Sequence, residues 1–123
     1  MDTLKSIAKS FLQSTARGDV KEAYDLYTGD NFKHHNVYYK GDADSLRKGM
    51  EENAVLFPGM FFEIKRLVRE ENLVVVHSFA RMKPDDAGYA LVHIFRFENE
   101  KIAELWDLGQ QIPPEPVNDN GPF

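Results

Sequence analysis

From Phe61 onward the chain falls into four runs rich in β-branched and aromatic residues: FFEIKRLVR, LVVVHSFARM, GYALVHIFRFE and KIAELWDLG. The connections between them are Glu71-Asn72, the five residues Lys83 to Ala87, and Asn99-Glu100. Parallel neighbours need a crossover of about a dozen residues or more, so such short links force consecutive antiparallel hairpins. This stretch is committed to a meander, and whatever precedes it must cover one face of the sheet.

What precedes it reads as helix. Leu4, Ile7, Ala8, Phe11 and Leu12 recur at helical spacing, with Asp2 or Thr3 as N-cap and Gly18 as the stop. A second helix begins at Asp19, where Asp19 and Glu22 have the spacing of a capping box. Ala23, Leu26 and Tyr27 form its apolar stripe, and Thr28-Gly29-Asp30 ends it. Residues 31–41 read as a loop with a short extended piece. A third helix is expected from about Ala43 to Val55, capped by Asp42 or Asp44 and broken by Phe57-Pro58-Gly59. From about Ile112 the prolines Pro113, Pro114 and Pro116 predict an extended arm on the body or on a partner subunit. The expectation is one α+β domain over residues 1–123, three N-terminal helices packed on a curved, mostly antiparallel sheet.

Composition removes several function classes. The chain has 123 residues, enough for one core, and its nine phenylalanines and five tyrosines supply ample apolar surface. It has no cysteine, hence no disulfide, thiolate metal site or cysteine nucleophile. A net charge of −5, with Lys and Arg scattered, argues against nucleic acid and against an anionic membrane as partner. The opening MDTLKSIAKSFLQS lacks the apolar core of a signal peptide, and no stretch approaches a membrane span, so a cytoplasmic location is expected.

The loop lengths also predict which side chains meet. A two-residue turn at Asn99-Glu100 pairs Glu98 with Lys101 and sets His93 opposite Trp106. A five-residue loop closing Met82 on Gly88 sets His77 opposite His93, and a two-residue turn at Glu71-Asn72 sets Arg66 opposite His77, while a three-residue loop there is equally compatible with the sequence. One row, Arg66, His77, His93, Trp106, then shares a face with Phe79, Phe95 and further apolar residues. A slip of one residue would move a strand's whole set to the other face. Polar groups on a core-facing side are costly unless they are paired or line a cavity, so the row predicts a pocket. By the same alternation Asp107 faces away from Trp106, in a surface or subunit-contact role. Ser78 is likewise separated from His77, against a serine triad. No carboxylate shares the expected row, so no metal site is expected, and single, spaced glycines exclude a phosphate loop.

The helix–helix–helix–meander order, together with LVVVHSFARM, ALVHIFRFENEKIAELWDLGQ and the ending PPEPVNDNGPF, resembles the SnoaL-like family of the NTF2-like superfamily. The likeness covers nearly the whole chain and is greatest to a small bacterial subgroup described as SnoaL-like aldol-condensation enzymes. It implies a cone-shaped α+β barrel with a small-molecule pocket. In the polyketide cyclases of this family, a carboxylate on the strand that begins the IFR motif is general acid/base for a cofactor-free aldol closure. The matching position here is His93, whose imidazole exchanges protons near neutral pH. The resemblance also puts the His34-His35-Asn36 loop at the pocket rim. Adjacent extended residues point opposite ways, so only one of the two histidines enters, and the family position favours His35.

The expected catalytic residues are therefore His93 and His77, with His34, His35, Asn36, Arg66, Trp106, Tyr39, Phe79 and Phe95 as substrate contacts. No cofactor is expected. The expected ligand is a small hydrophobic or carbonyl-containing molecule. The leading expectation is a cofactor-free lyase, isomerase or cyclase. Its rivals are a ligand-binding module without turnover and a dimerising scaffold, and the second sheet face and the arm predict a homodimer.

Overall fold

The Asp2 carboxylate accepts hydrogen bonds from the backbone N–H groups of Leu4 and Lys5, at 3.1 and 3.3 Å, and so starts the first helix. The structure, a computed structural model, describes residues 2–123. Helix α1 spans Thr3–Ala16, α2 Val20–Tyr27 and α3 Ala43–Leu56. Gly18, at φ +97°, makes the break between α1 and α2. The expected capping box does not form. Asp19 makes no side-chain bond to the α2 N-terminus, because its carboxylate is taken by Arg17 Nε at 2.8 Å. Asp42 caps α3 through the Ser45 N–H at 2.9 Å.

Strands β2 (Phe61–Glu70), β3 (Leu73–Arg81), β4 (Tyr89–Glu98) and β5 (Lys101–Gln111) form the expected antiparallel meander. At the β4–β5 turn Asn99 and Glu100 have φ of 51° and 62°, the two left-handed residues of a type I′ hairpin. Thr28–His34, expected to be a helix end and loop, is instead strand β1, pairing parallel with β5. The sheet order is β1-β5-β4-β3-β2, mixed and open, with β1 and β2 as its edges.

The helices cover one face. Ala8, Phe11 and Leu12 of α1, Val20, Ala23 and Tyr24 of α2 and Leu46 of α3 bury themselves with Phe32, Val74, Val76, Phe95, Phe97, Ile102 and Leu105 of the sheet. Phe11 meets Tyr24 and Phe95 edge-on, with ring centroids 5.2 and 5.9 Å apart. Bulky rings thus fill one end of the inner face. Toward the other end Ser78, Ala80, His93, Asp107 and Gly109 share the face with Leu91, Tyr89, Ile64 and Phe62.

Two register details decide which residues share that face. Val76, not His77, pairs with His93, because β3 and β4 are shifted by one residue from the expected register, their last pair being Ala80 with Tyr89 rather than Met82 with Gly88. On the other side of β4, Arg96 pairs with Glu104 but Phe97 with Ile102, leaving Ala103 as an extra residue on β5. That bulge puts Asp107, not Trp106, opposite His93. Arg66 pairs with His77 as expected, in the register set by the Glu70–Leu73 turn, and an irregularity between Ile64 and Arg66 lies beyond that pair.

Candidate functional site

The expected row of Arg66, His77, His93 and Trp106 does not form. His93 lies on the inner, helix-covered face, whereas Arg66, His77 and Trp106 lie on the outer one. His93 is 9% exposed, with its ring stacked near Phe95 at 6.2 Å. Its Nε2 stands 3.4 Å from Asp107 Oδ1. Burial holds the imidazole below its ordinary pKa, and the Asp107 charge opposes that shift. At neutral pH the ring is therefore neutral. Nε2 must carry the hydrogen, since otherwise two lone pairs would face each other. Nδ1 is then a bare acceptor, and it is buried with no partner in the protein among the described residues.

Asp107 is held from its other oxygen. Asn36 Nδ2 donates to Oδ2 at 2.8 Å, while Asn36 Oδ1 accepts from the Tyr38 N–H at 3.0 Å. A donor on one side of the amide and a carboxylate on the other leave only one orientation for Asn36. A continuous chain runs from the Tyr38 backbone through Asn36 and Asp107 to His93. Tyr24 is buried within the field of Asp107. Burial first, and then that negative charge, push its hydroxyl well above the ordinary tyrosine range, with Arg47 opposing. Tyr39 leans on α3, its ring filling a notch at Gly49, where a Cβ would lie 2.3 Å from Cε1. Phe95 is fully buried in the core below His93.

The loop histidines part as alternation requires, but in the opposite sense to the family expectation. His34 turns inward and is buried. Its Nε2 donates to the Lys40 carbonyl at 2.6 Å and its Nδ1 accepts from the Asn36 N–H at 3.1 Å, so both nitrogens are committed to shaping the loop. His35 turns outward, stacks on Trp106 with centroids 5.0 Å apart, and bonds Glu104 Oε2 at 2.6 Å. Glu104 also accepts from Arg96 Nε at 2.9 Å. His77 Nδ1 accepts from Arg66, and burial first, then the Arg66 charge, lowers its pKa. Phe79 and His77 lie beneath Phe123, whose ring is 5.7 and 5.3 Å away. The arm thus folds back on the outer face.

Sequence reasoning missed Asp107 and Ser78 as inner-face groups. One signal was present: Ile102 and Leu105 are both core-like but three apart, and only a bulge lets both face the core. Among the described residues no cluster of three or more His, Asp or Glu side chains is arranged to hold a metal. Clefts of about 410, 520 and 440 Å³ lie at the β4–β5 turn region, beside the α1 N-terminus and under the arm, and none of these is lined by His93. No helix is long and apolar enough to cross a membrane.

Helices on the inner face of an open five-stranded mixed sheet define an α+β fold, and an NTF2-like protein is among the solved structures that share it. The chain belongs to the SnoaL-like domain family, whose model matches residues 8–105. Its fold is shared with AclR, a putative hydroxylase from Streptomyces galilaeus (19% identity, TM-score 0.74, 87% of this chain and 88% of that one). It is shared too with a putative polyketide cyclase from Acidithiobacillus ferrooxidans (16%, 0.72, 88% and 88%). An NTF2-like protein of unknown function from Cytophaga hutchinsonii is similar as well (14%, 0.71, 89% and 92%). At these identities the likeness is one of fold. A search of curated protein sequences found no match.

Proposed function

We propose that the protein is a cofactor-independent enzyme that moves a proton next to a carbonyl, with His93 Nδ1 as the acid/base. The reading rests on one observation: a buried, neutral imidazole whose Nε2 is held by Asp107 while Nδ1 has no protein partner. Nδ1 takes the proton from a carbon beside the carbonyl, and the imidazolium so formed faces the Asp107 carboxylate. The proton then returns to carbon in an isomerisation, or to a new alkoxide in an aldol closure. Asn36 is a positioning residue that keeps Asp107 turned to His93. The lowered pKa keeps the base form present at pH values below the ordinary imidazole value of 6.5. The solved neighbours described as a cyclase and a hydroxylase favour a small organic substrate.

Deuterium exchange at the carbon next to the carbonyl of 1-indanone, followed by NMR in D2O, tests this. Exchange is expected to depend on the protein, to vanish in His93→Gln, and to fall by about 10²-fold in Asp107→Asn, which loses the carboxylate charge that faces the imidazolium. Exchange undiminished in His93→Gln would refute it.

The second sheet face favours a further reading, a homodimer. Val68 and Leu108 on that face are 56% and 55% exposed, and Phe61 and Leu73 are also open. Sedimentation of the wild type at twice the monomer mass, and of Leu108→Lys as a monomer, is the expected outcome. A wild-type monomer at high protein concentration would rule it out.

A further inference from the structure

Beyond Ile112 the chain leaves the sheet and is fastened to it again by one ring. The Ile112 N–H donates to the Gly88 carbonyl at 2.9 Å, and residues 113–123 are all exposed. Among the described residues, the hydrogen bonds of residues 113–122 stay within the arm. The Asn120 N–H donates to Asn118 Oδ1 at 2.9 Å, and the Gly121 N–H to the Asn118 carbonyl at 3.3 Å. Phe123 is what touches the body: it meets Phe79 edge-on at 5.7 Å and His77 at 5.3 Å, and the Lys65 ammonium stands 4.9 Å from its centroid. Each of these contacts is weak by itself, so an exposed tether held by them opens readily.

The ring sits where a second sheet would have to pack. Pairing across the outer face sets Arg66, His77, Val92 and Leu108 in one row, so Phe123 rests on the same row as the exposed Leu108. Sheets stack face to face about 10 Å apart, and a ring lying on His77 occupies that space. Charge identifies the second sheet. Lys65, Arg66 and Arg81 gather at one end of β2 and β3, around the seat of the ring. Lys65 is bonded to Glu63 at 2.6 Å, whereas Arg66 is bonded to the neutral His77 and Arg81 lies over Phe61 at 4.8 Å. Glu70 and Glu71 stand exposed at the opposite end of the same strands, where Arg69 is engaged by Asp2. A two-fold axis lying across the strands sets the cationic end of each copy on the acidic end of the other, with Val68 and Leu108 between. The face is complementary to itself.

We propose that the arm is a displaceable strap: Phe123, seated on His77 and Phe79, shields the outer face from a second copy of this chain, and the two copies join when the rings leave. The proposal rests on the homodimer reading above and adds what limits that association. A copy with its ring seated is not competent to pair, so the apparent dimer affinity is reduced by the fraction of arms that are open.

Sedimentation velocity of the full chain over a concentration series tests this. Phe123→Ser is expected to dimerise about 10-fold more tightly than wild type, and Phe123→Tyr, which keeps a ring, to match wild type. Glu70→Lys added to Phe123→Ser is expected to weaken the dimer by about 10-fold, through like charge opposite Arg66. The seat is read separately, in the monomeric Leu108→Lys background. Burial first, then the Arg66 and Lys65 charges, lowers the His77 pKa. Removing the ring in Phe123→Ser should therefore raise it, as followed by NMR of the imidazole protons. A His77 titration unmoved by Phe123→Ser overturns the seat. Dimers of Phe123→Ser no tighter than those of wild type overturn the strap and leave the homodimer reading standing. Monomers at high concentration for wild type and Phe123→Ser alike overturn the homodimer reading and the strap with it. A Phe123→Ser dimer indifferent to Glu70→Lys overturns the end-for-end packing.

Discussion

Gly49 sits in the middle of α3, where glycine ordinarily costs about 1 kcal/mol relative to alanine. In isolation Gly49→Ala would therefore be stabilising. The structure predicts the reverse sign. A Cβ at this position would lie 2.3, 2.6 and 2.9 Å from Cε1, Cζ and Oη of Tyr39, against an optimal carbon separation of about 3.5–4.0 Å. Overlap with three atoms of one ring cannot be relieved by a small shift, so Tyr39 must leave its notch and give up its packing on the core. Overpacking of this kind costs about 1–3 kcal/mol. Taking about 2 and subtracting the gain of about 1 in helix propensity, Gly49→Ala should destabilise the wild type by about 1 kcal/mol. In a Tyr39→Ala background the notch is empty, and the same substitution should stabilise by about 1 kcal/mol. The sign change, a coupling of about 2 kcal/mol, is the quantity to measure, by urea denaturation of the four proteins in a double-mutant cycle. Equal effects of Gly49→Ala in both backgrounds would refute the reasoning. The result bears on the site because Tyr39 follows Asn36 in the loop that holds Asp107, its N–H bonded to the Asn36 carbonyl at 3.3 Å.

Two further outcomes are expected. Gly88 closes the β3–β4 loop at φ +93°, and a Cβ there would approach the Ala80 carbonyl oxygen to 2.6 Å and Phe79 Cε1 to 2.7 Å. Left-handed strain and overlap with a backbone atom together should make Gly88→Ala lose about 2–4 kcal/mol in urea titration, and a loss within about 0.5 kcal/mol would contradict the loop geometry. On the outer face, hydrogen bonds from His35 and then Arg96, with the Lys33 charge adding, hold the Glu104 carboxyl below its ordinary value of 4.5. A depressed carboxyl pKa stabilises the fold above the unfolded value, and that contribution disappears as pH falls through the folded value. Glu104→Gln should accordingly cost stability at pH 7, and its deficit should narrow as the pH is lowered beneath about 4.5. A deficit independent of pH would show that the carboxylate charge is not what matters there.

Local chemistry made much of this protein legible in its residues alone. The apolar spacing from Leu4 to Leu12, the cap at Asp2 and the stop at Gly18 lie within a few residues of each other, and α1 forms where they indicate. The short links at Glu71-Asn72 and Asn99-Glu100 point to hairpins, and of the two- and three-residue loops open at Glu71-Asn72 the structure has the two-residue one, Glu70 pairing with Leu73 and Glu98 with Lys101. His93 could be singled out because a histidine on a strand otherwise rich in core residues must be paired or exposed to a ligand.

Who stands beside His93 was decided by tertiary structure. Asp107 reaches it only because Ala103 bulges from β5. That bulge lets Ile102 and Leu105 both enter the core while the same segment pairs with β1 on its other edge, at Ile102, Glu104 and Leu105. The parallel pairing joins residues some seventy positions apart, so no window along the chain contains it. Because side chains alternate with a period of two, one added residue in β5 and a one-residue shift of the β3–β4 register exchange the faces of Trp106, Asp107 and His77 together. Helices and hairpins are set by neighbours in sequence; the polar end of the inner face is set by the count of residues between distant contacts, which only the folded sheet fixes.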